Sequence, residues 1–316
     1  MSQPRDTLTP DALAMIDAID RYGSFAAAAR ALGQVPSALS YRVRQLEESL
    51  DVLLFDRSSR QAKLTPAGHA LLFEARRILQ DLDAVSSRIR RIATGWESHL
   101  TIAVDTLICP AALMDLCARF DALAPPTQLR FRQETLHGTF NALLTGQAEL
   151  AIGVSGESGD LSRVAHQVLG SVEFVFAVAP HHPLAQAPQP LSDTLVKSHR
   201  AVAVADSAPL GLDVTVGLLP GQQVLTVSSM ADKIQAQVRG LGVGFLPLPR
   251  IQQELARGQL VVCPTQRPRR LVQLFCAWPS ELATTRGQAL SWWLQQLQHD
   301  RTREALLGHS QLDSAS

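Results

Sequence analysis

Few side chains in this sequence stand at spacings that would support catalysis or metal binding. The four cysteines, Cys109, Cys117, Cys263 and Cys276, show no Cys-x-x-Cys spacing and read as reduced, buried thiols. His181-His182 runs into Pro183 with no further ligand at a metal-binding interval, so it reads as loop. Gly-x-Ser-x-Gly, His-Glu-x-x-His and phosphate-cradling glycine motifs are all missing. Gly240-Leu241-Gly242-Val243-Gly244 hints at a dinucleotide loop. A helical pattern from Ala231 to Arg239 precedes it, however, and a strand from Val243 to Leu246 follows. Dinucleotide loops need the reverse order, strand first and helix after. The expectation is therefore a non-enzyme with no catalytic residue, no metal and no cofactor.

Side chains suited to recognition lie near the N-terminus. Pro36 opens a helical pattern in which Leu39, Val43, Leu46 and Leu50 step by four, three and four, marking a core face. At about 100° per residue, Ser37, Tyr41 and Arg44 point nearly opposite. Ser40 and Gln45 flank them, and Arg42 lies nearer the core edge. Hydroxyls, a phenol and a guanidinium on one helix face could read base edges in a major groove, or could simply be solvated. The segment from Asp51 to Pro66 places two short apolar runs around a polar, basic turn, the pattern of a β-hairpin wing. Arg57, Arg60 and Lys63 are phosphate-contact candidates there, or ordinary surface charges.

Net charge neither supports nor excludes this. The chain carries 29 basic and 29 acidic residues. Residues 21–65 hold seven Lys/Arg against four Asp/Glu, and residues 96–316 hold sixteen against eighteen. The positive excess thus sits where the recognition pattern is.

The elements that must position these groups are legible from caps and periodicity. Thr9-Pro10-Asp11 opens a first helix whose Leu13, Ile16 and Ile19 face inward, and Gly23 ends it. Ser24 caps a second helix through Phe25, Ala28, Ala29 and Leu32, which Gly33 closes. Residues 66–92 form one long amphipathic stretch. Beyond about residue 100, short apolar strands alternate with helical patterns, as an α/β fold requires. No apolar run reaches the ~20 residues that a membrane span needs. The polar N-terminus shows no secretory signal, so a cytoplasmic location with no membrane association is expected.

Taken as ordered runs, residues 8–68 resemble the DNA-binding region of LysR-type transcriptional regulators. The runs are Gly23-Ser24-Phe25-Ala26-Ala27-Ala28-Ala29, then Leu32, then Ala38 to Glu47, then Leu54-Phe55-Asp56-Arg57, then Leu64-Thr65-Pro66-Ala67-Gly68. The resemblance implies an N-terminal all-α winged helix-turn-helix, a long linker helix, and an α/β two-lobed, periplasmic-binding-protein-like effector domain. It implies double-stranded promoter DNA as a partner. Pro36, Ser37, Ser40 and Tyr41 would be base readers, with Ser24, Arg42, Arg44 and Lys63 also nominated for DNA contact. Arg57 and Thr65 match the family's backbone-contacting positions. The family usually has Gln-Pro where this chain has Pro36-Ser37, and Arg or Thr where it has Tyr41. Proline cannot supply glutamine's bidentate contact to adenine, so no operator sequence carries over.

Leu71, Ala75, Ile78, Leu82, Val85, Ile89 and Ile92 keep a seven-residue repeat, the pattern of a coiled-coil seam, against the alternative of a helix packed on its own domain. Self-association as a dimer or tetramer, with a homotetramer as the full assembly, is expected. In the C-terminal half, the order strand, helix, strand, helix, strand indicates a parallel sheet. Domain limits are expected at 1–65, 66–94 and 95–308. Lobe I takes about 95–164 and 266–308, lobe II about 165–265, and 309–316 is expected as a disordered tail. Ligands in such folds bind beyond strand C-terminal ends, near helix N-termini. That nominates Asp105, Thr106 and Leu107, Thr135 and His137, Asp206 and Ser207, and Ser228 and Ser229. Ser229 with Asp232 also reads as a plain helix cap; were its amides to face a ligand, the effector would be anionic. The alternative is a small-molecule binding protein without a DNA role, which the N-terminal helices disfavour.

Overall fold

The computed structural model describes residues 4–56, 62–208 and 217–309 of the 316. The chain divides into two compact units, Met1–Ile89 and Arg90–Ser316, with the division falling inside one long helix. Arg57 and Arg60 of the expected wing, and positions 310–316 of the expected tail, lie outside the described residues.

The first unit contains α1 (Pro4–Thr7), α2 (Pro10–Tyr22), α3 (Phe25–Ala31), α4 (Pro36–Leu50), β1 (Phe55–Asp56), β2 (Lys63–Leu64) and most of α5 (Pro66–Thr94). Its helix ends obey local chemistry. Thr9 Oγ1 accepts from the Ala12 amide, and Ser24 Oγ accepts from the Ala27 amide at 3.2 Å. Gly23 closes α2 at φ 70°, where a side chain would be strained. The stripes that face inward, including Ile16 and Ile19, Ala28 and Ala29, and Leu39 and Leu46, meet in one core. Each buried large aliphatic contributes about 1.5–3 kcal/mol. The expected wing forms as an antiparallel β1–β2 pair, Phe55 opposite Leu64 and Asp56 opposite Lys63. Glu47 holds it to α4: the buried carboxylate accepts from the amides of Leu54 (2.8 Å) and Phe55 (3.2 Å). Gly68 allows the first turn of α5 to approach this strand, because a Cβ there would stand 2.1 Å from the Leu54 carbonyl oxygen.

The second unit runs β3 (His99–Asp105), α6 (Pro110–Asp121), β4 (Gln128–Glu134), α7 (Gly138–Leu144), β5 (Leu150–Ser155), β6 (Val164–Val178), α8 (Asp193–Lys197), β7 (Ala201–Val204), β8 (Val224–Val227), α9 (Met230–Val238), β9 (Gly244–Pro247), α10 (Gln252–Ala256), β10 (Val261–Val262), β11 (Arg270–Pro279), α11 (Leu282–Thr285), α12 (Gln288–Gln296) and α13 (Asp300–Leu306). β3 pairs in parallel with both β4 and β5, as the alternating pattern requires. β11 returns antiparallel to β5 and β6. Trp293 and Phe120 are fully buried in the lobe I core beside Leu100, Ile102 and Ile152. In lobe II, β6 carries β9 and β10, while β7 and β8 pair in parallel and β7 is bridged to Val243.

The lobes do not part at residue 165 as expected. β6 is a single strand of fifteen residues shared between them: Val164 to Phe174 pair with β11, and Phe174 to Ala177 with β9. The crossing therefore lies near Phe174, and the return falls just before Arg270. One uninterrupted strand crosses Phe174, so no local break in the sequence marks which sheet each half joins.

Candidate functional site

In the first unit, the outward face of α4 is uncovered. Pro36, Ser37 and Arg44 are exposed, Tyr41 is 61% exposed, and Ser40 and Arg42 are half-buried. Tyr41 Oη accepts from Gln45 Nε2 at 3.0 Å, so phenol and amide stand together on this face. Lys63 is exposed on the wing. Two nominated hydroxyls also have structural work. Ser24 caps α3. Thr65 donates to the Leu53 carbonyl at 2.7 Å and accepts from the Gly68 amide at 3.0 Å, so its proton is committed to Leu53 and its oxygen to the start of α5.

The apolar row of α5 splits along its length. Leu71 is half-buried against its own unit's core and Ala75 is fully buried, correcting their assignment to a seam between chains. Arg76 fixes this end of α5 to α2 through Asp17 (2.7 Å) and Asp20 (2.9 Å). From Ile78 onward the row faces outward: Ile78, Leu82, Val85, Ile89 and Ile92 are exposed, from 40% at Ile78 to 80% at Ile92.

In the second unit, a cavity of about 420 Å³ opens between the lobes, within the range of small-molecule sites. Asp105, Thr106 and Leu107 line it at the C-terminal end of β3, and Thr135 and His137 beyond β4, as expected from strand-end logic. Burial, opposed by the Leu107 and Leu136 amides and reinforced by Asp206, pushes the Asp105 carboxyl up to about 7.

The four lobe II nominees do not line the cavity. Asp206 and Ser207 clasp lobe I instead. Asp206 stands 2.6 Å from His137 Nδ1, and Ser207 Oγ donates to Glu134 at 2.6 Å while accepting from the Thr135 amide. Thr135 Oγ1 donates to the Ala205 carbonyl. Gly138 permits this closeness, since a Cβ there would fall 1.8 Å from Ser207 Oγ. Ser228 and Ser229 both donate to Asp232, and Ser229 caps α9, so the plain capping reading holds for Ser229.

The sequence reading missed the cationic wall. Lys233, Arg267, Arg269 and Arg270 all line the cavity, beside Phe174, Met230 and Phe245. Three of these cations have carboxylate partners: Arg267 with Asp193 (2.8 Å), Arg269 with Glu173 (2.9 Å) and Arg270 with Glu157. Burial, with Arg270 adding repulsion, pulls the Lys233 ammonium down to about 8. A signal existed. Met230, Lys233, Ile234 and Gln237 follow core-face spacing, and a lysine within an apolar stripe is out of place there.

Elsewhere, His182 Nδ1 accepts from the Leu184 amide and its ring packs edge-on to His199. Burial pushes the thiols of Cys117, Cys263 and Cys276 up. Among the described residues no helix is long and apolar enough to cross a membrane.

A bare polar helix backed by a wing, followed along the chain by two lobes around a cavity, is the architecture of a ligand-responsive DNA-binding regulator. The chain belongs to the LysR family of transcriptional regulators. The family described as bacterial regulatory helix-turn-helix protein, lysR family, matches residues 10–69, and the LysR substrate binding domain matches residues 93–301. The chain is 40% identical over 291 residues to the probable HTH-type transcriptional regulator YhaJ of Escherichia coli (strain K12), covering 92% of this chain and 96% of that one. It is 35% identical over 262 residues to the HTH-type transcriptional activator AllS of Klebsiella pneumoniae, covering 83% and 97%. A full-length OxyR structure from Pseudomonas aeruginosa shares the fold, with a TM-score of 0.58, 21% identity, and coverage of 98% and 99%.

Proposed function

We propose that this regulator binds promoter DNA through α4 and the wing, self-associates through the outward row of α5, and takes a small organic effector into the cavity between the lobes. It works in the cytoplasm, where that DNA is. Pro36, Ser37, Ser40 and Tyr41 read base edges, while Arg44 and Lys63 meet phosphates. The observation that carries the reading is the bare outward face of α4, with Tyr41 61% exposed, on an otherwise well-packed helix. The exposed row from Ile78 to Ile92 supports pairing, because apolar stripes of that length are seldom left in water. Effector binding acts on DNA only through different affinities for two arrangements of the protein.

The test is a gel-shift titration on the DNA upstream of the chain's own gene, against random DNA, at several salt concentrations. Tyr41→Ala is expected to lower affinity for the upstream site by about 1–3 kcal/mol and leave random DNA nearly unchanged. Lys63→Ala should weaken both alike and flatten the salt dependence. Equal losses for the Tyr41 variant on both DNAs would refute its role.

A further inference from the structure

We infer that the cavity takes a small organic anion with an apolar body, and that its anionic group docks on the Nζ of Lys233. This rests on the reading of the cavity as an effector site and specifies its ligand class.

Lys233 projects from α9 into the cavity and is only 7% exposed. Lysine is almost never buried to this degree without a partner, because an ammonium in a low-dielectric setting loses its hydration. Among the described residues no acceptor reaches Lys233 Nζ, and no carboxylate pairs with it. The charged group that acts on it is Arg270, which repels. Arg270 itself already holds Glu157, and Arg267 holds Asp193. Lys233 is therefore the lining lysine or arginine left without an anion among the described residues, next to a second positive charge. The depressed ammonium pKa has the same origin: burial and the nearby Arg270 disfavour the charge, and none of the described residues compensates it.

The remainder of the wall says what the rest of the ligand is. Phe174, Met230, Phe245, Val272 and Leu274 make it largely apolar. Asp105 is no counter-charge for Lys233. It ends β3 in lobe I, and its electrostatic neighbour is Asp206. A neutral ligand would leave Lys233 buried and uncompensated, whereas an anion supplies both a charge and an acceptor.

The experiment is calorimetric titration of the full chain with pairs that differ in charge and little in shape: benzoate and benzamide, phenylacetate and phenylacetamide, 1-naphthoate and 1-naphthamide. At pH 7 the carboxylate of at least one pair is expected to bind about thirtyfold or more tightly than its amide. In Lys233→Met that preference disappears and amide affinity stays within about twofold. The wild-type protein supplies a second readout that needs no variant. Above about pH 8, where Asp105 is already ionised, carboxylate affinity should fall about tenfold per unit as the free-protein ammonium loses its proton. An amide that matches its carboxylate, or a preference retained in Lys233→Met, overturns the proposal while leaving the cavity as an effector site. Failure of every carboxylate to bind also overturns it. The upstream-DNA gel shift reports separately on whether the chain is a regulator at all.

Discussion

Asp105 ends β3 with one carboxylate oxygen accepting from the Leu107 amide at 2.8 Å, yet burial outweighs that bond and raises its pKa to about 7. A carboxyl raised above its unfolded value near 4 stays protonated in the folded chain while the unfolded chain has already ionised. Folding then takes up a proton, so this group's stabilising contribution is full below about pH 4 and is lost as pH rises toward 7. The slope is at most about 1.4 kcal/mol per pH unit. Asp105→Asn cannot ionise and keeps an acceptor for Leu107. In urea unfolding of the second unit between pH 5 and 7.5, the wild type should lose stability relative to this variant. Parallel profiles would show that Asp105 does not titrate there. Strand-end logic was enough to nominate Asp105, Thr106, Leu107, Thr135 and His137, because a strand terminus is a local feature. It was not enough for Asp206 and Ser207, whose contacts span 69 and 72 residues of sequence. Position along the chain does not reveal whether such a residue faces the cavity or clasps the opposite lobe.

At the scale of elements, α5 is governed by the row from Ile78 to Ile92. A seven-residue repeat was visible in the sequence. What it could not display is that Leu71 and Ala75 are turned against their own core by the Arg76 tether to Asp17 and Asp20, while the same repeat emerges into solvent a turn later. Periodicity fixes a face but not its occupant. Pairing across this row would bury the 41% of Leu82 that is exposed on each of two chains, about 0.6–1.2 kcal/mol apiece. Leu82→Glu removes that gain and adds a carboxylate to an apolar seam. The dissociation constant of the dimer should rise at least about a hundredfold, measured by sedimentation equilibrium, and binding to the upstream DNA should fall with it. A Leu82→Glu protein that stays dimeric at wild-type concentrations would rule out this seam. Caps at Thr9, Ser24 and Ser229 were legible for the complementary reason, that a cap needs only four consecutive residues. Lys233 stands on the buried spacing of α9, a sign of burial in the sequence, but which cavity it enters follows only from the packed lobes.

Across the whole molecule, the hydrophobic core of the first unit draws its buried residues from Met15 to Leu72, and the cores of the second begin at Leu100. The sequence order of these signals made the two-part architecture readable, although β6, which serves both lobes, concealed where the second unit subdivides. Separate cores imply separate cooperative transitions. Heating should give two calorimetric peaks. The peak of the DNA-binding unit should move up with protein concentration, since pairing through α5 binds folded chains only. Upstream DNA should raise that same peak. The tightest carboxylate from the titrations, at a hundred times its Kd, adds about 2.7 kcal/mol to the unit that binds it. For a unit of over 200 residues that is a rise of about 5–10 °C in the other peak. One ligand moving both peaks would mean that the units unfold as a single body. A carboxylate that raised only the DNA-binding peak would place its site outside the cavity, and with it the assignment of Lys233 would fall.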